Sequence, residues 1–458
     1  MNSAQRGQAL EADEPLPLKT ALTYGPPIFG LACLHFMVQL YFMKFATDVL
    51  LIAPAVMGLI FGASRIWDAI SDPAVGLMCY RTKARMGRCR VWMLGSIPAL
   101  ALTFYLLWNP PLFLSSQALV IWVAVLLIAY YTSDTAYDIP HVALGQGLSR
   151  SYDERSRIFG MRQIGWVCGI LCSLFAIKVL SSAEDQRAAT EVVTLGLIPL
   201  AVVIMMIPVV FQREGQASLS GSQVEPRKNF SAFKDVFKNP HARLVLFVWF
   251  VDTMGFGTIG LLSSYFTHYV VGRQDLIALF LTIYIASGLV GIPFWVSLSA
   301  KFGKSRVWSW AIAITGVSTG LIFFVGEGDY YLYGGLLAIA GFCFGCGNAL
   351  GMSILTDTVD YDEYKTGVRK ADVYSASWKF SSKFGHGLIA LISGALISAS
   401  GFVPNEVQSE GTLLAIRGIF CGNTFIFFML AAYLISRFSL NREEQQDIAR
   451  LLKERKGS

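Results

Sequence analysis

Between Val192 and Phe211 the chain reads VVTLGLIPLAVVIMMIPVVF, an uncharged run long enough as a helix to cross hydrocarbon. Comparable runs recur at Trp92 to Trp108, Ser309 to Val325 and Thr424 to Ile435, some a little short, and about twelve such spans can be drawn. A backbone in hydrocarbon must satisfy its own N–H and C=O groups, which leaves helices or closed barrels, and runs of this length select helices. Composition agrees, because 54% apolar and 15% charged residues in a chain of 458 are too few polar side chains to coat a soluble globule. The expected fold class is therefore an all-α integral membrane protein.

The first twenty residues hold Glu11, Asp13 and Glu14 and no apolar core, so no cleavable signal peptide is expected. The first span then acts as its own insertion signal. Eight cysteines lie in spans or beside basic loops and are expected as free thiols. Cys343 and Cys346 form a CxxC inside AGFCFGCGNALG, which reads as close helix packing, since no second pair or nearby histidine accompanies it.

The net charge of +6 is confined to alternate loops, so it reports topology and not nucleic-acid binding. Arg81, Lys83, Arg85, Arg88 and Arg90 fall on one side, with Lys301, Lys304 and Arg306, whereas the other side receives only Lys178, Arg187 and Arg273. That asymmetry places both termini in the cytoplasm and the chain in the plasma (inner) membrane. The connection after the sixth span carries REGQASLSGSQVEPRKN, polar and rich in Gly, Ser and Pro. The expected organisation is an amino-terminal six-helix lobe over 1–211, a cytoplasmic linker over 212–242, a carboxy-terminal six-helix lobe over 243–437 and a tail over 438–458. The halves echo each other: GRCRVW (Gly87 to Trp92) follows the second span, and GKSRVW (Gly303 to Trp308) follows the eighth. A repeat so placed points to a two-lobed transporter whose site lies between lobes.

Charged residues inside spans are the candidate site. Asp68 and Asp72, in RIWDAISDP, share one helical face at i and i+4, and Ser71 offers a neutral oxygen beside them. Each acid costs about 2.5 to 3.5 kcal/mol at a helix centre, so the pair faces a wet cavity or holds a cation. Two carboxylates and a hydroxyl suit Na+, while their repulsion makes a proton an alternative occupant. A structural bridge to Arg65 or Lys383 is the competing reading. The fourth span repeats the spacing with Asp134 and Asp138, followed by Pro140, and Arg162 in the fifth span can fork onto a carboxylate or a solute. A structural Asp138–Arg162 bridge that opens for substrate satisfies both readings. Tyr137, Trp378 and His141 are candidate solute contacts, though an intramembrane histidine is more often a satisfied core residue. Asp252 is an acid with no evident partner. In LTDTVDYDEYKTGVRK, Asp357 and Asp360 meet Arg369, and RSYDERSR supplies Arg155; opposite charges on facing inner loops suit a cytoplasmic gate, a solvated loop being the alternative.

Taken together, TYG, RIWDAISDPAVG, RTKARMGRCRVW, DIPHVAL, SYDERSRIFGMRQIGW, LTDTVDYDEYKTGVR and KFSSKFGHGL, in this order over nearly the whole chain, resemble the glycoside-pentoside-hexuronide:cation symporters of the major facilitator superfamily. The resemblance implies twelve transmembrane helices in two lobes and alternating access with Na+ or H+ moving beside the solute. It also implies that Asp68, Asp72, Thr135 and Lys383 serve the cation, and Asp138 and Arg162 the sugar hydroxyls. Three positions depart from the family's melibiose permease. Ser71 replaces an asparagine, Ala32 a sugar-binding aspartate, and Val142 a tryptophan. Sodium selectivity and galactoside transport therefore do not follow. The expected function is a cation-coupled importer of a glycoside, oligosaccharide or uronide, with a lysolipid or other amphiphile as the alternative solute. No cofactor beyond the coupling ion, no nucleic acid and no enzymatic constellation is expected, and the chain is expected to work as a monomer in the lipid bilayer.

Overall fold

The computed structural model describes residues 16–148, 152–212, 236–368, 370–440, 444–445, 447–448 and 450–452, without the side chains of 152, 153, 155, 156 and 372. Among them are twelve long helices: α1 (Leu18–Asp48), α2 (Pro54–Arg81), α3 (Arg88–Trp108), α4 (Ser116–Leu148), α5 (Tyr152–Ser181) and α6 (Gln186–Phe211), then α7 (Pro240–Val270), α8 (Ile277–Phe302), α9 (Lys304–Leu321), α10 (Tyr330–Thr366), α11 (Ala371–Ala399) and α12 (Glu410–Ser436). Eleven are long and apolar enough to cross a membrane. The exception is α2, whose 28 residues suffice in length but include Arg65, Asp68, Asp72 and Arg81. The expected all-helical fold stands.

Side chains and glycines start several helices. Asn239 caps α7 by accepting from the His241 and Ala242 amides, with Pro240 in the first turn, where its missing N–H costs nothing. Asp185 caps α6 in the same way through the Arg187 and Ala188 amides. Gly87 (φ 101°, ψ 146°) and Gly303 (φ 88°, ψ 147°) precede α3 and α9 in nearly the same left-handed conformation, which only glycine adopts without strain. The GRCRVW and GKSRVW repeat is thus a repeat of backbone geometry.

α10 runs further than its apolar stretch, because the polar DYDEYKT remains helical until Gly367 ends it with φ 71°. Asp357 and Asp360 therefore lie on a helix and not in a loop. α1 and α7 each widen into a π-helical turn near their far ends, at Val38–Phe42 and Phe266–Val270.

The chain groups into two compact units, one within Met1–Phe42 and Trp67–Arg227, the other within Met43–Ile66 and Lys228–Ser458. The expected lobes follow chain order, and the units do so except over Met43–Ile66. Pairing inside each unit repeats six helices on: α1 packs against α5 and α6, and α3 against α4 and α6, while α7 packs against α11 and α12, and α9 against α10 and α12. Helices in lipid associate through close packing, and small residues permit it. A β-carbon at Gly345 would lie 2.1 Å from the Gly288 carbonyl, and one at Gly341 would lie 2.1 Å from that of Tyr284. The glycine-rich run thus seats α10 against α8, with Cys343 and Cys346 buried and unbridged.

The start of α2 is held against α11 by the same device. A β-carbon at Gly394 would lie 2.4 Å from the Pro54 carbonyl and 2.7 Å from the Gly58 Cα, both backbone atoms that cannot rotate aside. Gly394→Val is expected to lower the thermal unfolding midpoint in detergent, with an overpacking cost of about 1 to 3 kcal/mol. Gly196→Ala, inside α6 with nothing within 4 Å, should not lower the midpoint.

Candidate cation and solute site

α2 and α4 meet in the first unit around two acids. Asp68 and Asp72 lie one turn apart on α2, and the Thr135 hydroxyl of α4 is 2.8 Å from Asp68 Oδ1 and 3.1 Å from Asp72 Oδ1. One hydroxyl has one proton, so the two carboxylates share the Thr135 O–H, which draws an oxygen of each toward it. Asp68 is 1% exposed, whereas Asp72 is half-buried, which leaves the pair reachable from one side. Trp67 Nε1 donates to Thr132 Oγ1 at 2.9 Å, a second tie between the same two helices. The Ser71 hydroxyl donates to the Asp68 carbonyl at 3.0 Å, so its proton is spent on the α2 backbone.

One turn along α4 a separate ion pair forms. Arg162 of α5 donates through Nη2 to Asp138 Oδ1, with side-chain exposures of 16% and 25%. The guanidinium lies over the Trp166 ring at 5.7 Å. His141 is fully buried, 3.4 Å from Arg162 Nε through Nδ1 and 3.1 Å from the Tyr24 carbonyl through Nε2. Arginine can only donate and a carbonyl can only accept, so these partners assign the neutral Nε2–H tautomer to His141. Tyr24 and Tyr137 stack on the two sides of that imidazole, at 4.5 and 5.7 Å. Tyr137, also fully buried, donates its hydroxyl to the Met205 carbonyl at 2.9 Å. His141, expected as a solute contact, thus holds the Arg162 guanidinium, and Tyr137, also expected as one, packs against His141.

Asp134 faces a third direction. Its carboxylate lies 3.2 Å from His35 Nδ1, and His35 Nε2 lies 2.9 Å from Gln39 Oε1. Ala32 is fully buried, in a contact so tight that a β-carbon at Gly169 would lie 2.6 Å from its own. That place on α1 is given to helix packing.

The second unit holds the remaining expected residues except Arg155. Lys383 is half-buried on α11, and Trp378 is 6% exposed, its face covered by Trp249 at a ring-centroid distance of 4.1 Å. Asp357 pairs with Lys304 at 2.8 Å and accepts from Gln445, which ties α10 to the start of α9 and to the tail. Asp360 is half-buried on α10. Arg369 and the side chain of Arg155 lie outside the described residues.

One buried charge cluster has no counterpart among the expected residues. Lys44 Nζ and Asp48 Oδ2 are 2.5 Å apart at 1% and 5% exposure, and Tyr269 OH donates to the same oxygen at 2.9 Å. Asn405 adds 2.6 Å to the Asp48 carbonyl, and Thr47 meets Tyr265 OH at 2.7 Å. Lys44 and Asp48 sit at i and i+4, a spacing that flags such a pair when it is sought at the end of a span.

Comparison with known proteins fits this geometry. A family profile described as MFS/sugar transport protein matches residues 23–442. The uncharacterized symporter YjmB of Bacillus subtilis is 27% identical, with 94% of each chain covered. The isoprimeverose transporter of Lactiplantibacillus pentosus is 25% identical, with 95% of this chain and 91% of that one covered. The crystal structure of the nucleoside transporter NupG shares the fold at a TM-score of 0.66 and 12% identity, over 93% of this chain and all of that one. With twelve long helices, a repeated half and a family match over almost its entire length, the chain is a multi-pass membrane protein that belongs to the MFS/sugar transport family.

Proposed function

We propose that this protein is a symporter of the plasma (inner) membrane, with both termini cytoplasmic, that imports a glycoside or similar hydroxyl-rich solute by alternating access with Na+ or H+. The observation that carries the reading is the Thr135 hydroxyl between Asp68 and Asp72. Its two contacts leave the accepting oxygens at most about 6 Å apart, where like charges repel by about 3 kcal/mol at an effective dielectric of 20. A sodium ion shared by the carboxylates and the hydroxyl, or a proton on one acid, removes that repulsion. Lys383 on α11 is the intramembrane cation assigned to the same function.

The solute is assigned to Asp138 and Arg162. Asp138 accepts from hydroxyls, Arg162 donates to oxygens, and both side chains retain exposure. His141 fixes the guanidinium from behind, so solute meets a donor already oriented. Asp357 and Asp360, with Arg155 and Arg369, are assigned to the cytoplasmic gate. A membrane potential of 100 mV supplies about 2.3 kcal/mol per positive charge carried inward, close to fifty-fold accumulation.

Asp72→Asn should abolish uptake driven by an imposed sodium or proton gradient while the protein still inserts, as read by radiolabel uptake into proteoliposomes. Persistent gradient-driven uptake in that variant would remove the cation assignment. Thr135→Val keeps the volume and loses the hydroxyl; the cation concentration for half-maximal uptake should rise about tenfold. Asp138→Asn and Arg162→Gln should each weaken solute binding at least about tenfold, and the double variant should bind no worse than the poorer single one, because the pair acts as a unit. Isothermal titration over a panel of glycosides and lysophosphatidylcholine, with and without sodium at two pH values, supplies the solute for these tests. Binding of the lysolipid alone would replace the solute class.

A further inference from the structure

Within the first unit, α3 and α6 leave a groove of about 880 Å³ between them, lined by Leu94, Pro98 and Tyr105 of α3 and by Leu195, Pro199 and Met206 of α6. Leu94, Leu102 and Leu195 on its walls are exposed. Both helices are long and apolar enough to cross a membrane, so an exposed apolar groove between them opens onto acyl chains and not onto water. Proline accounts for the gap. Pro98 and Pro199 each remove a backbone hydrogen bond inside a helix and set a ring against the carbonyl four residues back, that of Leu94 and of Leu195, which bends the helix. The matching seam in the second unit has no proline in α9 or α12 and is filled, because a β-carbon at Gly320 would lie 2.9 Å from the Phe425 ring and one at Gly316 would lie 3.1 Å from Phe428 Cβ. The opening therefore belongs to the first unit's own sequence and not to the repeated architecture.

One end of the groove is basic. Arg90, Leu94, Pro98, Ala101 and Tyr105 recur every three or four residues and share one face of α3, so Arg90 stands one turn beyond the apolar lining. Its Nε donates to the Val209 carbonyl at 2.7 Å, which holds the guanidinium at the end of α6 one turn past Met206. Arg81, Lys83 and Arg85 are exposed on the turn leading into α3, and Arg88 is half-buried with its guanidinium 5.1 Å from the centre of the Tyr80 ring. The sequence from 73 to 133 holds these five cations and no Asp or Glu. From Leu94 to Tyr105 the groove runs about 16 Å at the helical rise, close to the depth of one leaflet at about 15 Å.

An occupant must be apolar over that length and anionic where it meets Arg90. A hydroxyl-rich solute finds no polar side chain on the walls except Tyr105, and a water finds fewer than the two partners it needs. A phosphate takes charge-assisted hydrogen bonds from arginine, and each basic group at a membrane surface favours an anionic lipid. We propose that the groove between α3 and α6 binds an anionic phospholipid, with an acyl chain along Pro98 and Pro199 and the phosphate at Arg90 and the basic turn before α3. The site needs neither the solute nor the cation assigned above.

The test uses the full chain in nanodiscs of equal parts phosphatidylglycerol and phosphatidylcholine with matched acyl chains, one lipid and then the other carrying a diazirine on the chain. Photolabelling should concentrate on peptides spanning Leu94 to Tyr105 and Leu195 to Met206, at least fivefold more from phosphatidylglycerol than from phosphatidylcholine. Ala101→Phe, which narrows the groove, should cut that labelling at least fivefold and leave labelling of the other helices unchanged. Arg90→Gln should lower the preference for phosphatidylglycerol about fivefold. Leu102→Trp and Arg85→Gln stand in for a variant that fails to insert. Labelling spread evenly over the exposed helices marks bulk lipid only and overturns the site. Equal labelling by the two lipids, or an unchanged preference in the arginine variant, overturns the headgroup assignment and the proposal with it. A crosslink from the groove to a second copy of this chain replaces the lipid as occupant.

Discussion

A carboxylate in hydrocarbon costs several kcal/mol unless a proton, a cation or a hydrogen-bond donor offsets it, and the polar interior of this chain is organised by that requirement. Asp48 meets Lys44, Asp138 meets Arg162, Asp134 meets His35 and Asp357 meets Lys304. Asp68 and Asp72 converge on one neutral hydroxyl. A donor with one proton cannot by itself neutralise two charges, and the proposed coupling role rests on that convergence.

Fixed pairs need fixed helices, and in lipid no hydrophobic drive holds helices together. The glycines supply close approach instead. Gly345 and Gly341 let α10 lie against the α8 backbone, and Gly58 and Gly394 do the same for α2 and α11. The contacts are backbone to side-chain-free backbone, so they hold little slack.

Much of the architecture is legible in the residues, because hydropathy and helix length report directly on the membrane. Twelve spans and the repeat marked by Gly87 and Gly303 follow from local pattern, and opposite charges in consecutive spans single out Asp138 and Arg162 as candidate partners. The site's finer structure is less legible because its partners come from distant positions. Nothing near Asp134 announces His35, and nothing near Tyr137 shows that its hydroxyl is committed to the Met205 carbonyl. Trp378 looks like a stacking surface until Trp249 covers it. α10 outruns its apolar stretch because polar residues with good helix propensity end a hydropathy signal without ending a helix.

The change of unit inside α2 carries a mechanical consequence. Residues up to Ile66 belong to the second unit and residues from Trp67 to the first, so one continuous helix is shared by two bodies. The boundary falls just before Asp68, so the backbone that carries the acid pair is continuous with the segment that glycines pack against α11.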